Sequence, residues 1–294
     1  MNKVGFIGVG IMGKSMVRNL MKAGFELHIY ARTKSKVEDV IGEGARLHES
    51  IKDCVQDCDA LITIVGFPQD VEEVYFDGGN ILDSAKKGAY LIDMTTTSPQ
   101  IAEKIYEEGT KRGFHVMDAP VTGGDTGAKA GTLSILVGGE KEDYEACMPL
   151  FEAMGTNINY QGKAGCGQHC KLANQIMIAG TLSGVCEALT YAKEQGLDPE
   201  VFMKSVATGA AGSKQLDTFG PKILKDDYAP GFFMKHFIKD MKLALIEANR
   251  KGLSLDVLSM VLANYEELEQ EGYGDLGTQA LMKFYDEEHR NTEE

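Results

Sequence analysis

Three clusters of residues have the types and spacing to do chemistry. The first is Gly8-Val9-Gly10-Ile11-Met12-Gly13, which follows an apolar run directly and opens an amphipathic one. In that context Gly8 permits a tight turn, Gly10 lets a pyrophosphate approach the backbone, and Gly13 allows close helix–strand contact. The N-terminus of the helix that the loop opens, with Ile11 and Met12 leading into it, then presents unpaired N–H donors and a positive dipole end to the anion. The second cluster, Thr122-Gly123-Gly124, comes shortly after Asp118-Ala119-Pro120. It offers a hydroxyl and close-packed backbone donors, a receptacle for a carboxylate, with a plain structural turn as the other reading. The third is Lys171 with Asn174 and Gln175 one helical turn later. Taken alone, a helical lysine is a solvated surface residue. In a cleft between domains, desolvation would lower its pKa and make it a usable acid/base.

The choice of dinucleotide is read about 20 residues beyond a glycine loop, where an acidic residue favours NAD. Here that place holds Tyr30-Ala31-Arg32-Thr33-Lys34. Arg32 can fork onto a 2′-phosphate and Thr33 can hydrogen-bond it. The alternative is that Arg32 is a surface residue capping the next helix. NADP is the expected cofactor, with NAD possible.

Such loops need strands to feed them. Strands are expected at Val4–Val9, Leu27–Tyr30, Leu61–Val65, Tyr90–Asp93, His115–Asp118 and Leu133–Val137. Helical stretches at Gly13–Ala23, Lys34–Ile41 and Gln100–Arg112 lie between them. The alternation implies a parallel sheet with helices on both faces, an α/β Rossmann-type doubly wound domain. From about Gln168 strand-like runs vanish. Helical periodicity takes over at Cys170–Glu194, Pro199–Ala207, Ile238–Arg250, Leu255–Gln270 and Thr278–Glu287. The boundary falls in the glycine-rich stretch 162–167, giving a dinucleotide-binding domain over 1–164 and an all-α helical domain over 165–294. The acidic end, Asp286 to Glu294, reads as a solvated, fraying tail.

Composition narrows the partners. Lys+Arg 30 against Asp+Glu 44 gives a formal charge of −14 in 294 residues, so the chain as a whole repels nucleic acid and anionic membranes. A phosphate-bearing ligand needs a locally built anion site, which the glycine loop supplies. With 43% hydrophobic and 25% charged residues the composition is that of a soluble globular chain. The first apolar run is too short for a signal peptide. The stretch Ile176 to Ala192 contains Ser183, Glu187 and Thr190, and reads as a buried helix rather than a membrane span. Cys54, Cys58, Cys147, Cys166, Cys170 and Cys186 are scattered without a secretory context, as reduced thiols of a cytoplasmic protein. Their i, i+4 pairs lack the spacing of a zinc knuckle, so no metal is expected.

Four stretches, in order, resemble the β-hydroxyacid dehydrogenase family, the group containing 3-hydroxyisobutyrate dehydrogenase and tartronate semialdehyde reductase. They are Gly8–Gly13 with Lys14-Ser15-Met16, Asp118 through Gly124, Gly165 through Gln175, and Lys239-Asp240-Met241. The resemblance covers nearly the whole length. It implies reversible hydride transfer between a nicotinamide and the alcohol carbon of a short β-hydroxy acid. Lys171 is then the proton donor in reduction and the acceptor in oxidation. Thr122, Gly123 and Gly124 hold the substrate carboxylate, and Asn174 is the first of two amides beside the lysine. Thr96 lies near the nicotinamide, Lys239 approaches the cofactor from the helical domain, and Phe232 walls the pocket or fills the core.

The chain departs from the family at two places. Thr122 stands where Ser is usual, which adds a methyl, and Gln175 stands where many members have Asn, a change familiar in the semialdehyde-reductase branch. A small carboxylate substrate and assembly as a homodimer or homotetramer through the helical domain are also implied. The related 6-phosphogluconate dehydrogenases would need a longer helical domain and basic residues for a sugar phosphate. A non-catalytic NADP-binding sensor or scaffold, the alternative from another class, need not keep both Lys171 and Thr-Gly-Gly. Imine-reducing relatives tend to replace the lysine.

Overall fold

A computed structural model describes residues 1–285. The chain divides into two compact units, Met1–Lys171 and a second beginning at Leu172. Nine strands form the sheet of the first unit: β1 (Lys3–Ile7), β2 (Glu26–Tyr30), β3 (Arg46–His48), β4 (Ala60–Thr63), β5 (Tyr90–Asp93), β6 (His115–Asp118), β7 (Val121–Thr122), β8 (Leu133–Gly139) and β9 (Gly155–Gly162). The order is β3-β2-β1-β4-β5-β6-β8-β7, with β9 beside β8. The strands from β3 to β6 are parallel. They make the doubly wound half expected from the alternating pattern.

Central strands such as β4 and β5 read as unbroken apolar runs because both of their faces are covered. Val4, Phe6, Ile62, Ile92 and Met117 enter one core with Met16, Val17 and Leu20 of the helix Ile11–Lys22. Ile7, Leu61, Leu91 and Val116 enter the other with Val55, Val71, Tyr75 and Ile105. The sheet is not wholly parallel, however. β8 runs antiparallel to β6 and β7, because a short turn and the helix Gly124–Ala130 return the chain without a crossover. β9 then pairs parallel with β8.

In the second unit the helices Pro199–Val206, Lys214–Ile223, Met234–Arg250 and Asp256–Gln270 pack with the larger part of the long helix Cys166–Glu194. Leu172, Leu182, Leu189, Phe237, Met241, Val261 and Tyr265 fill its core. By length and composition the long helix is apolar enough to cross a membrane, and 44% of its most apolar window is buried within the protein. It begins four residues before the expected Cys170. The stretch expected as a helix over Thr278–Glu287 is a 3-10 run, Thr278–Tyr285. Glu287 and the tail Asp286 to Glu294 lie outside the described residues.

Candidate active site

In a parallel sheet every carboxyl end opens on one edge, where ligands of doubly wound folds bind. The glycine loop leaves β1 on that edge. Gly8 has φ +99°, and a Cβ there would lie 2.0 Å from the Ile64 carbonyl oxygen. A Cβ on Gly13 would lie 2.1 Å from the Gly8 carbonyl oxygen, whereas nothing stands within 4 Å of one on Gly10. Two glycines are thus demanded by the protein's own backbone, and the middle one faces open space. Gly10 is the N-cap of the helix Ile11–Lys22 and has no side chain to fold over the helix end. Ile11 is exposed and Met12 half-buried. This is a cradle with room for a pyrophosphate, and the residues fit a dinucleotide.

Arg32 follows β2 on the same edge and is exposed. Its Nη2 donates to Asp70 Oδ1 at 2.9 Å. Thr33, also exposed, precedes a 3-10 turn, Lys34–Lys36. Asp70 belongs to the first turn of the helix Pro68–Phe76, where its Oδ2 accepts the Phe67 backbone N–H at 3.0 Å.

Across the middle of the sheet the last residues of the strands are polar and in register: Thr63 opposite Asp93, and Asp93 opposite Asp118. Asp93 Oδ1 accepts from the Thr63 hydroxyl at 2.8 Å and from the Thr95 N–H at 3.1 Å. Burial pushes the Asp93 carboxyl up to about 6 against these hydrogen bonds. Burial also raises Asp118, opposed by the backbone N–H groups of Gly165 and Gln168. Those two groups donate to Asp118 Oδ1 and Oδ2 at 2.8 and 2.7 Å. Asp118 therefore caps the long helix, which explains its early start. Gly167 makes the close approach feasible, since a Cβ there would lie 2.4 Å from the Leu136 carbonyl oxygen and 2.7 Å from Asp118 Oδ2.

Gln168, fully buried, completes the knot. Its Nε2 donates to the Thr95 carbonyl at 2.7 Å and its Oε1 accepts the Thr97 N–H at 3.0 Å. One amide thus grips the chain on both sides of Thr96. Lys171, buried at 7% exposure, lies on the same helix three residues further on. Thr122, half-buried at the end of β7, leads into Gly123 and Gly124, whose φ values are +127° and +63°. A side chain at either position would be strained. The helix after this turn is tied to the glycine-loop helix by Asn19, whose Nδ2 donates to the Ala128 carbonyl at 2.7 Å.

The remaining candidates form a ladder within the second unit. Asn174 Nδ2 donates to Gln175 Oε1 at 2.8 Å, and Gln175 Nε2 donates to Asp240 Oδ2 at 2.7 Å. Lys239 Nζ stands 3.0 Å from Asp240 Oδ1. Phe232 meets the Phe237 ring edge-on at a 6.0 Å centroid separation, at the border of the helical core.

The structure thus brings the glycine loop, Arg32, Thr33, Thr96, Thr122–Gly124 and Lys171 together in one unit, and Asn174, Gln175 and Lys239 in the other. Sequence reasoning assigned no role to Asp70, Asp93, Gln168 or Asp240. The available signal was a polar residue ending an otherwise apolar strand, as at Asp93 and Asp118.

A glycine cradle on a doubly wound sheet, followed by a helical unit, is the architecture of a dinucleotide-binding protein. Residues 3–162 match the family described as the NAD binding domain of 6-phosphogluconate dehydrogenase. Residues 165–285 match the NAD-binding domain of NADP-dependent 3-hydroxyisobutyrate dehydrogenase. An uncharacterized oxidoreductase of Bacillus subtilis is 49% identical over 96% of this chain and 98% of its own. A probable 3-hydroxyisobutyrate dehydrogenase-like protein of Arabidopsis thaliana is 44% identical over 95% of this chain and 84% of its own. Among solved structures, the Mycobacterium tuberculosis 3-hydroxyisobutyrate dehydrogenase with L-serine superposes with a TM-score of 0.89 at 26% identity, covering 97% of this chain and 99% of that one. The chain belongs to the β-hydroxyacid dehydrogenase family, the 3-hydroxyisobutyrate dehydrogenase group, and is an NAD(P)-dependent oxidoreductase.

Proposed function

We propose that this protein interconverts a small β-hydroxy acid and its semialdehyde, preferring NADP and accepting NAD. A domain over 1–164 would bind the dinucleotide, and the helical domain from 165 would serve substrate and oligomer. The observation that carries the reading is the double grip of Gln168 on Thr95 and Thr97. It fixes Thr96 and the helix of Lys171 to the edge that holds the glycine cradle.

When bound, the cofactor supplies or accepts the hydride. Gly8, Gly10 and Gly13, with the N–H groups of Ile11, Met12 and Gly13, hold its pyrophosphate, and Arg32 and Thr33 take the 2′-phosphate. Thr96 and Lys239 line the nicotinamide end. Thr122, Gly123 and Gly124 hold the substrate carboxylate. Lys171 gives a proton to the carbonyl oxygen in reduction and removes it in oxidation, while Asn174 and Gln175 orient the reacting oxygen. The Asp240 carboxylate, bonded to Gln175, keeps this amide pair in one orientation. Self-association is supported by Met177 and Tyr191 on the long helix and by Val257 and Met260, apolar side chains that are all exposed. Six cysteines that form no disulfide among the described residues favour a reducing, cytoplasmic location.

The test follows NADPH and NADH consumption against the semialdehydes of tartronate, methylmalonate and succinate. NADPH-dependent reduction of one of them is the expected outcome. Tight cofactor binding with no reduction of any would overturn the substrate class and favour a binding-only protein.

A further inference from the structure

Arg32 follows β2 directly, and Asp70 opens the helix that follows β4; β2 and β4 are the two strands that flank β1. A bond between these side chains therefore spans the carboxyl end of β1, where the glycine loop begins. Asp70 is the one described partner of the Arg32 guanidinium, at 2.9 Å. The Asp70 carboxylate is the less exposed of the two, at 18% against 67%, and its other oxygen is fixed by the Phe67 N–H. The anion is thus anchored in the first turn of a helix, while the cation is the mobile member.

We propose that Asp70 tempers the cofactor preference of this protein. Its carboxylate takes the Nη2 arm of Arg32, one of the two donors with which the guanidinium would grip a 2′-phosphate, whereas a ribose without that phosphate leaves the ion pair intact. The inference rests on the reading that Arg32 receives the 2′-phosphate. A carboxylate and a phosphate dianion compete for one guanidinium, and after the exchange two anions lie close together in an open, solvated corner. The exchange weakens NADP binding without touching NAD binding. Asp70 thereby keeps both cofactors usable, where an unopposed arginine would commit the protein to NADP.

Calorimetric titration of the full chain with two cofactor fragments tests this. Adenosine 2′,5′-bisphosphate carries the discriminating phosphate and adenosine 5′-monophosphate lacks it. Asp70→Asn keeps an oxygen for the Phe67 N–H and removes the charge. It is expected to tighten the bisphosphate about tenfold at low salt and to leave the monophosphate within about twofold, with the gain shrinking in high salt. Asp70→Gln, whose uncharged amide at the third helical position can still reach back to the Phe67 N–H, should give the same selective gain if the asparagine variant folds poorly. Arg32→Ala separates the two readings. If it weakens the bisphosphate selectively while the Asp70 variants leave binding unchanged or weaker, Asp70 is not a competitor and the proposal falls alone. If Arg32→Ala has no selective effect, Arg32 does not take the phosphate and both readings fall together.

Discussion

The Asp118–Gln168 knot and the Arg32–Asp70 corner sit on the same edge of one sheet and are built on opposite principles. The knot is dry: Gln168 is 0% and Asp118 3% exposed, and their polar atoms are answered by backbone groups at fixed distances. The corner is wet, with 67% of the Arg32 side chain open to solvent. Losing a partner in the knot strands a buried donor or acceptor at a cost of about 1–3 kcal/mol each. Losing one in the corner costs ~0–1 kcal/mol, because water replaces it. Position is thus fixed where the protein excludes water, and the proposed discrimination between cofactors lies where it does not.

The largest expected effect lies just beyond the knot, on the residue it positions. Lys171→Ala should lower kcat by about 10²–10⁴, the range for loss of a general acid/base, and leave the NADPH dissociation constant within about twofold. Steady-state kinetics and calorimetric titration would check this. If cofactor binding fell as steeply as turnover, Lys171 would belong to the structural knot and the comparison would lose its clearest boundary.

Gln168→Ala should come next. It leaves the Thr95 carbonyl and the Thr97 N–H without partners, a loss of about 2–4 kcal/mol in urea unfolding. It should also lower kcat more than it raises KM, because Thr96 is freed while the substrate turn at Thr122–Gly124 is untouched. A loss below about 1 kcal/mol would mean that water enters the knot and that the dry–wet contrast is overstated.

Asp93 tests the same dryness through pH. Its carboxyl titrates near 6 in the folded chain, against about 4 in an unfolded one. The folded state therefore holds a proton in that window that the unfolded state has released, so stability falls as pH rises through it. The penalty approaches about 3 kcal/mol above the window. Asp93→Asn retains an acceptor for the Thr63 hydroxyl and the Thr95 N–H and cannot ionise. It should be more favourable relative to the parent at pH 7.5 than at pH 4.5, by about 2–3 kcal/mol in chemical denaturation. An equal difference at both pH values would show that Asp93 is solvated.

What the sequence revealed follows the same division between local and long-range causes. The glycine loop, the parallel strands β1, β2, β4, β5 and β6 and most of the helical second half rest on patterns a few residues long. So they were legible. The three-residue parallel strand β3 was too short to show such a pattern. β9 was not legible either, because in Gly155–Gly162 only Ile158 and Tyr160 alternate with Asn157, Asn159 and Gln161, too short and too polar a pattern on a largely exposed strand. The helix Lys214–Ile223 was hidden by Gly220 and Pro221, which read as a break but lie in its last turn. The 3-10 run at Thr278–Tyr285 has helical periodicity, and the Tyr265 hydroxyl donates to the Thr278 carbonyl where it begins. Gln168 and Asp118 stood inside recognisable motifs. Yet their bonds span 71 and 47 residues, to Thr97 and Gly165, and no spacing rule could pair them.

The smallest effect sharpens the comparison from its other side. Arg32→Ala breaks a 2.9 Å ion pair, within the 2.7–3.0 Å range of the bonds of the knot. Distance alone would rank it with Gln168→Ala. Exposure ranks it far lower, since the one group left behind, the Asp70 carboxylate, is partly exposed to water and keeps its bond from the Phe67 N–H. The expected change is within ~1 kcal/mol, and smaller still in high salt, which screens a pair this open. Thermal unfolding of the unliganded chain should therefore shift by no more than about 2–4 °C. A drop as large as that of Gln168→Ala would mean that the corner bears structural weight. Arg32 could not then be exchanged freely between a carboxylate and an incoming phosphate.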